Sequence, residues 1–250
     1  MSEPNNAASS AGSGPLAKNH FLLRRLHSLS GIVPIGVFLC EHLFTNAQAL
    51  RGAEHYNSDV WFIHSLPALR LMEIFLIWLP IAFHAGLGIV YTFKGQKINV
   101  GAYRYGGNVR YVLQRVTGMI ALVFIFLHLW TVQWGIGIGA WDTPFDATDP
   151  TGSTAVAIQF AFPAVLIFYI IGLTACVYHF ANGLWTAAIS WGLTTSAAAQ
   201  KRWGFVCAGL GLALTIAGNA SAIHFGTMDL DKYDPPDHDE LPAHIRAHDE

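Results

Sequence analysis

Apolar residues are grouped along this chain in long blocks, and polar and charged residues fall mostly between the blocks. The five apolar blocks cover residues 28–48, 70–93, 112–135, 156–189 and 203–225. A helix needs about 20 residues to cross about 30 Å of hydrocarbon, so each block is long enough to span a membrane. The fourth block exceeds this length, which indicates a tilted helix or one that continues beyond the bilayer. The pattern predicts an all-α membrane protein with five transmembrane helices in a bundle.

Composition supports a membrane protein with polar ends. Charged residues make up 12% of the chain, against about 25% in soluble domains. The formal net charge of -2 gives no indication of nucleic-acid binding. Residues 1–19 are rich in Ala, Ser, Gly and Asn and lack the pattern of a signal peptide. We therefore expect a disordered cytoplasmic N-terminal tail over 1–19, a transmembrane domain over 20–225 and an acidic external tail over 226–250.

The lysines and arginines are distributed unequally between the two sides of the predicted bundle. One side carries Lys18, Arg24, Arg25, Lys94, Lys97, Arg104, Arg110, Arg115, Lys201 and Arg202. The other side carries Arg51, Arg70, Lys232 and Arg246, and its loop over 136–155 has aspartates but no basic residue. Because basic loops stay on the cytoplasmic side, we expect the N-terminus in the cytoplasm and the C-terminus outside. Five crossings agree with ends on opposite faces.

Four histidines lie well inside the first four apolar blocks, namely His42, His84, His128 and His179. A helix rises about 1.5 Å per residue, so their depths can be counted from residues at the membrane edges, namely Arg25, Arg115, Arg70 and Pro163. His42 and His128 lie about 25 and 20 Å from the cytoplasmic edge. His84 and His179 lie about 21 and 24 Å from the outer edge, because their helices run the other way. The histidines therefore form two layers.

Two layers of paired histidines indicate two haems stacked across the membrane. A six-coordinate haem takes one imidazole on each face of its iron, so each layer can hold one haem. The alternative for a single intramembrane histidine is a hydrogen-bonded packing residue or a proton relay. A transporter with scattered ionisable residues is a further alternative, but only Glu41 and Glu73 come close to being intramembrane carboxylates. The paired depths favour the haem interpretation.

Several segments resemble a known family. The segments are FLLRRLHSLSGIVPIGVFLCEHL, RGAEHYNS, HSLP, LMEIFLIWLPIAFHAG, LQRVTGMIALVFIFLHLW and YHFANGLWTAAISWG. Together they resemble the single-chain, five-helix, dihaem cytochrome b anchor of succinate:quinone oxidoreductases, which include succinate dehydrogenases and fumarate reductases. The resemblance covers residues 20 to 225. Its most specific parts are the RRLHS entry and the YHFANGLW segment.

The resemblance implies a membrane anchor that binds a flavoprotein subunit and an iron–sulfur subunit on the cytoplasmic side. Electrons pass between the iron–sulfur subunit and a quinone through two b haems, and succinate is handled by the partner subunits. By motif, the axial ligands are His84 with His179 for the inner haem and His42 with His128 for the outer haem. This pairing matches the depth argument. The implied location is a bacterial cytoplasmic membrane.

The cytoplasmic rim of the first and third helices carries candidate partners for the propionates of the inner haem. These residues are His27, Ser28, Gln114 and Arg115. An arginine guanidinium can bind a carboxylate with two hydrogen bonds. The alternative is that the arginines of this rim anchor helix ends at lipid headgroups.

A quinone site on the outer side needs protonatable groups near the outer haem. In relatives, a carboxylate in the loop before the second helix is tied to the quinol site, whereas this chain has His64 at that place. Either His64 transfers the protons, or Glu54 does, or quinone binds elsewhere. Two haems that span the membrane suit a low-potential quinone, such as menaquinone, that reacts near the outer face. Electrons and protons can then be moved across the membrane potential, at about 2.3 kcal/mol per charge per 100 mV. The direction of the reaction, succinate oxidation or fumarate reduction, is left open by the sequence.

Overall fold

The computed structural model describes residues 19–94, 106–134 and 152–229, apart from the side chain of Gln133. These residues form helices and turns, with no strand among them. Five of the helices are long and apolar enough to cross a membrane. They are His20–Arg51, Leu69–Lys94, Gly106–Val132, Pro163–Ser190 and Ala197–Gly226. The prediction of an all-α chain with five candidate membrane spans is confirmed for the described residues.

The first and third spans begin earlier than the apolar pattern predicts, because their basic first turns pack on aromatic rings. The Arg25 guanidinium lies 4.2 Å from the centre of the Phe21 ring. The Arg110 guanidinium lies 4.3 Å from the centre of the Trp185 ring on the fourth span. Such cation–π contacts let a helix continue into a polar region, since the stem of arginine packs on the protein while its charge stays near water.

The prediction of one long fourth helix over 156–189 is wrong. The chain forms a short helix, Gly152–Phe160, turns, and then starts the fourth span at Pro163. Phe162 is extended, with φ -79 and ψ 116, because a proline disfavours the helical conformation of the preceding residue. Pro163 itself fits the first helical turn, where an N–H group is not needed. Hydropathy alone does not detect this break, since both sides of it are apolar.

Two spans contain a π-helical turn at a position that matters for the site. In the second span the turn Ile74–Trp78 comes directly before Pro80. In the third span the turn Leu129–Gln133 comes directly after His128. A local π turn re-pairs backbone groups that proline frees inside a membrane helix, which explains the first case. The first span is interrupted more mildly, at Val33 before Pro34.

Two short helices cover one end of the bundle, which we call the loop end. They are the first loop helix, Ala53–His64, and the second loop helix, Gly152–Phe160. The backbone N–H of Ser153 donates to the Asn57 side chain at 2.9 Å and joins the two helices. Burial raises the pKa of the Tyr56 hydroxyl on the first loop helix, so this helix presents a neutral phenol to the bundle. The opposite end carries Arg24, Arg25, Arg110 and Arg115, and we call it the basic end.

The spans pack unevenly around the centre of the bundle. The fourth span packs closely against the third and fifth spans, and the second span packs mainly against the first. The second span is described along its whole length, and none of its residues is buried. In the other four spans some residues are buried. The second span therefore encloses a space rather than filling it.

Some predictions fall outside the described residues. The tail over 1–19 is described only at Asn19, and the tail over 226–250 only as far as Asp229. The same holds for five basic residues used to predict the orientation, Lys18, Lys97, Arg104, Lys232 and Arg246, and for most of the acidic loop over 136–155.

Candidate functional site

The four intramembrane histidines lie in two pairs inside the bundle. The ring centres of His84 and His179 are 6.0 Å apart, and their planes differ by 89°. The ring centres of His42 and His128 are 5.9 Å apart, and their planes differ by 69°. We call them the basic-end pair and the loop-end pair. The structure thus brings together the histidines that depth counting paired.

Both histidines of the basic-end pair are held by backbone carbonyl groups of neighbouring spans. The Nδ1 atom of His84 lies 2.9 Å from the carbonyl oxygen of His27. The Nδ1 atom of His179 lies 2.9 Å from the carbonyl oxygen of Gln114. A carbonyl can only accept, so Nδ1 carries the proton in both rings. The Nε2 atom is then the one with a lone pair, which is the usual state of a metal-binding histidine.

A glycine lies one helical turn after each of these carbonyl groups. His27 begins the segment HSLSG, which ends at Gly31, and Gln114 begins the segment QRVTG, which ends at Gly118. A Cβ atom on Gly31 would overlap the His84 ring. A Cβ atom on Gly118 would lie 2.8 Å from Cε1 of His179, closer than real Cβ contacts come. The first and third spans therefore hold the facing histidines with the same short pattern.

The loop-end pair is held by side chains of neighbouring residues. The Nδ1 atom of His128 lies 3.0 Å from the hydroxyl oxygen of Tyr169 on the fourth span. His42 stacks on Phe38, with ring centres 5.4 Å apart. The Asn46 amide donates to the carbonyl oxygen of His42 at 2.7 Å. The loop-end rings are thus oriented by different partners from those at the basic end.

A single large cavity contains both histidine pairs. Its volume is about 860 Å³, near the upper end of the usual range of about 300–1,000 Å³ for ligand sites. All five spans and both loop helices contribute to its walls. Within the described ranges, no three His, Cys, Asp or Glu side chains converge as a metal-binding group. Each histidine pair therefore suits a metal that takes two ligands from the protein and its remaining ligands from a non-protein group.

The predicted propionate residues line the basic end of this cavity, but two of them have other partners. The Ser28 hydroxyl accepts a hydrogen bond from Trp191 at 3.1 Å. The Gln114 amide donates to the His179 carbonyl at 3.1 Å, and its own oxygen accepts from Asn182 at 2.7 Å. Ser28 and Gln114 therefore stabilise the packing of the fourth span and of Trp191, which comes directly after this span.

Buried polar atoms without a partner among the described residues mark the same end of the cavity. They are Nδ1 of His27, the Tyr91 hydroxyl and Nη1 of Arg115. The His27 ring stacks on His84 at 4.0 Å and lies edge-on to Tyr91 at 5.5 Å. The second guanidinium nitrogen of Arg115 donates to the Tyr91 carbonyl at 3.4 Å. These groups can together donate hydrogen bonds to an anionic group such as a carboxylate.

The two candidate quinone residues lie in different places. His64 ends the first loop helix and lines the large cavity, together with Glu73 and Trp78 of the second span. Glu54 lines a separate pocket of about 540 Å³ with His55 and His224. The structure therefore joins His64, but not Glu54, to the cavity that holds the histidine pairs.

Sequence reasoning missed four residues that the structure brings to the site, namely Gly31, Gly118, Tyr91 and Tyr169. The glycines could have been found, because the patterns HSLSG and QRVTG repeat at corresponding places in the first and third spans. Gly86, two residues after His84, faces open space instead. The two tyrosines gave no signal, since an aromatic residue in an apolar block is most often part of the core.

Comparison with known proteins identifies the family. No family model matches the chain. The chain is 41% identical over 198 residues to the succinate dehydrogenase cytochrome b558 subunit of Bacillus subtilis (strain 168). The match covers 79% of this chain and 93% of that protein. The chain belongs to the family of succinate dehydrogenase cytochrome b subunits. The predicted resemblance is confirmed.

Membership in the succinate dehydrogenase cytochrome b family fixes the broad role of the chain. It is the cytochrome b subunit of an oxidoreductase complex, and its five apolar helices make it a multi-pass membrane protein. Family membership therefore favours the cytochrome b role over the transporter alternative.

Proposed function

We propose that this chain anchors a succinate dehydrogenase to the cytoplasmic membrane and carries electrons to menaquinone through two b haems. The observation that carries the proposal is the presence of two histidine pairs with ring centres 6.0 and 5.9 Å apart in one cavity. The flavoprotein and iron–sulfur subunits bind at the basic end, which faces the cytoplasm. The loop end faces outward.

The two imidazoles of each pair would hold one haem iron between them, and the separation of their ring centres fits this role. A metal–imidazole bond of about 2 Å plus about 1 Å from the nitrogen to the ring centre gives about 6 Å across the metal. The Nδ1 bonds of His84, His179 and His128 supply the outer hydrogen bonds that metal-binding histidines usually have. When bound, each haem accepts and passes on one electron at a time. The chain holds the haems, excludes water and sets their surroundings.

Arg115 and His27 are the leading propionate partners in this proposal. Both carry a buried nitrogen with no partner among the described residues, and Tyr91 adds a hydroxyl of the same kind. A propionate at this place would satisfy donors that are otherwise costly to bury. Ser28 and Gln114 support the site indirectly, through Trp191 and His179.

His64 is the protonatable group that the proposal assigns to the quinone site. It lines the cavity at the loop end, and an imidazole both bonds a quinone carbonyl and passes a proton near neutral pH. Glu54 is a weaker candidate, because it lines the separate pocket.

The His64 assignment is tested in the assembled complex with His64→Ala. Succinate oxidation with quinone should fall sharply, because the proton donor is removed while the electron path is intact. Oxidation with an artificial dye and both haem spectra should stay as in the wild type. His55→Ala, in the separate pocket, is the matched control. Unchanged quinone turnover in the His64 variant would move the site elsewhere, first to the basic end near Ser28 and Arg115.

The histidine ligands are tested with His179→Ala. The variant should lose the haem of the basic-end pair, because one axial ligand is gone, and should keep part of the other haem. Haem per chain and the reduced-minus-oxidised spectrum of the purified complex measure this. His55 is exposed and lines the separate pocket, so His55→Ala should retain both haems. Equal haem content in both variants would remove His179 from the ligand set.

A further inference from the structure

The four proposed haem ligands differ in how their outer ring nitrogen is held. The Nδ1 atoms of His84 and His179 lie 2.9 Å from backbone carbonyl groups, which no side-chain substitution can remove. The Ser30 hydroxyl and the Gln114 amide approach the same two nitrogens at 3.5 and 3.2 Å. The Asn46 amide approaches Nε2 of His42 at 3.5 Å. His128 instead bonds to the hydroxyl of Tyr169, at 3.0 Å. Among the described residues, this tyrosine is the only hydrogen-bond partner of the His128 ring. One side chain thus controls the hydrogen bond of one ligand.

Tyr169 is buried among aromatic side chains at the edge of the large cavity. Tyr169 is 5% exposed and belongs to the core at the loop end. Its ring centre is 4.3 Å from Phe160 of the second loop helix and 5.3 Å from Phe124 of the third span. Phe124 in turn stacks on His128, with planes 16° apart. In such buried surroundings a hydrogen bond is stronger than in water.

Thr131 is a further polar side chain beside the Tyr169 hydroxyl. Thr131, which is 1% exposed, donates to the Leu127 carbonyl at 3.0 Å, so its oxygen can accept from the tyrosine. The Nδ1–H group of His128 can then donate to Tyr169, and each donor in the chain has an acceptor. This order leaves Nε2 of His128 as the metal-binding nitrogen.

We infer that Tyr169 is the positioning residue of the loop-end haem and sets its midpoint potential independently of the other haem. The inference rests on the proposed function, because it requires His128 to be an axial ligand. A hydrogen bond from the outer nitrogen makes a histidine a more basic ligand. A more basic ligand favours the oxidised iron and lowers the midpoint potential. Tyr169 therefore lowers the potential of one haem of the two.

The test is redox titration of the purified complex carrying Tyr169→Phe, with haem per chain measured in the same samples. The midpoint potential of the loop-end haem should rise, and that of the basic-end haem should stay unchanged. If the variant stabilises the oxidised iron tenfold less than the wild type does, the midpoint potential rises by about 59 mV for this one-electron couple. Thr131→Val should shift the same haem in the same direction by less, since it weakens the acceptor without removing it.

Tyr56→Phe is the matched control, because Tyr56 lies in the same core and does not bond to His128. It should leave both potentials unchanged. Loss of the loop-end haem from the Tyr169 variant alone also supports the inference, since removing such a partner typically weakens metal binding about 10–100-fold. Two haems with unchanged potentials in Tyr169→Phe would overturn it, and so would equal haem loss from both tyrosine variants. A wild-type complex without two haems would instead contradict the proposed function.

Discussion

Gly31 and Gly118 determine where the basic-end histidines can lie. Each ring occupies the space that a Cβ atom would fill on the facing glycine, and each bonds to the carbonyl group one turn before it. The ring cannot move away without breaking that hydrogen bond. A single methyl group at either position would therefore clash with the ring of a proposed ligand and change the orientation of that ring.

Gly118→Ala should release much of the basic-end haem. The added Cβ atom would lie 2.8 Å from Cε1 and 3.0 Å from Nδ1 of His179, so the ring must shift. We expect a loss of haem affinity of about 10–100-fold, as for loss of an outer hydrogen bond. Haem per chain in the purified complex is the measurement. Gly86→Ala is the control, because that glycine faces open space two residues from His84. Full haem content in the Gly118 variant would contradict the account.

The sequence identified residues whose chemistry is conspicuous in an apolar setting. The four histidines stand out because ionisable groups are rare inside spans, and helical rise alone sorted them into pairs. Gly118, Tyr91 and Tyr169 were not predictable in the same way. Their importance arises from contacts between different spans, which a one-dimensional pattern does not contain. Ser28 and Gln114 were expected at propionates, but the structure engages them with Trp191, His179 and Asn182.

The first and third spans act as equivalent elements. Each presents a carbonyl group and a glycine to a histidine of another span, and each carries its own histidine about three turns later. The two histidines of each pair come from different spans, and their ring planes differ by 89° in the basic-end pair and by 69° in the loop-end pair. The break before Pro163 separates the second loop helix from the fourth span.

The wide ring angles lead to a spectroscopic prediction. Nearly perpendicular imidazoles leave two d orbitals of a low-spin ferric iron close in energy, which makes the electron paramagnetic resonance signal highly anisotropic. The planes differ by 89° in the basic-end pair and by 69° in the loop-end pair. The oxidised complex should therefore give two such signals, the more anisotropic from the basic-end haem. His179→Ala should remove the signal of the basic-end haem and leave the signal of the loop-end haem. Signals typical of parallel imidazoles would contradict these ring angles.

On the scale of the whole molecule, the bundle is built around a space. The second span carries His84 and lines the cavity, yet none of its residues is buried. The apolar pattern predicted the number of candidate spans among the described residues correctly, since length and hydropathy suffice for that. It could not predict that one span would pack mainly on a single neighbour, because the cavity arises from how the spans meet. A cofactor that fills the cavity would supply the missing contacts of the second span.

The central claim is that each chain holds two haems, each between two histidines. The most direct test is a reduced-minus-oxidised optical spectrum of the purified wild-type complex, combined with the ratio of haem to this chain. The account predicts two b-type haems per chain, both low-spin. A chain with no haem or only one, or a high-spin spectrum, would contradict it.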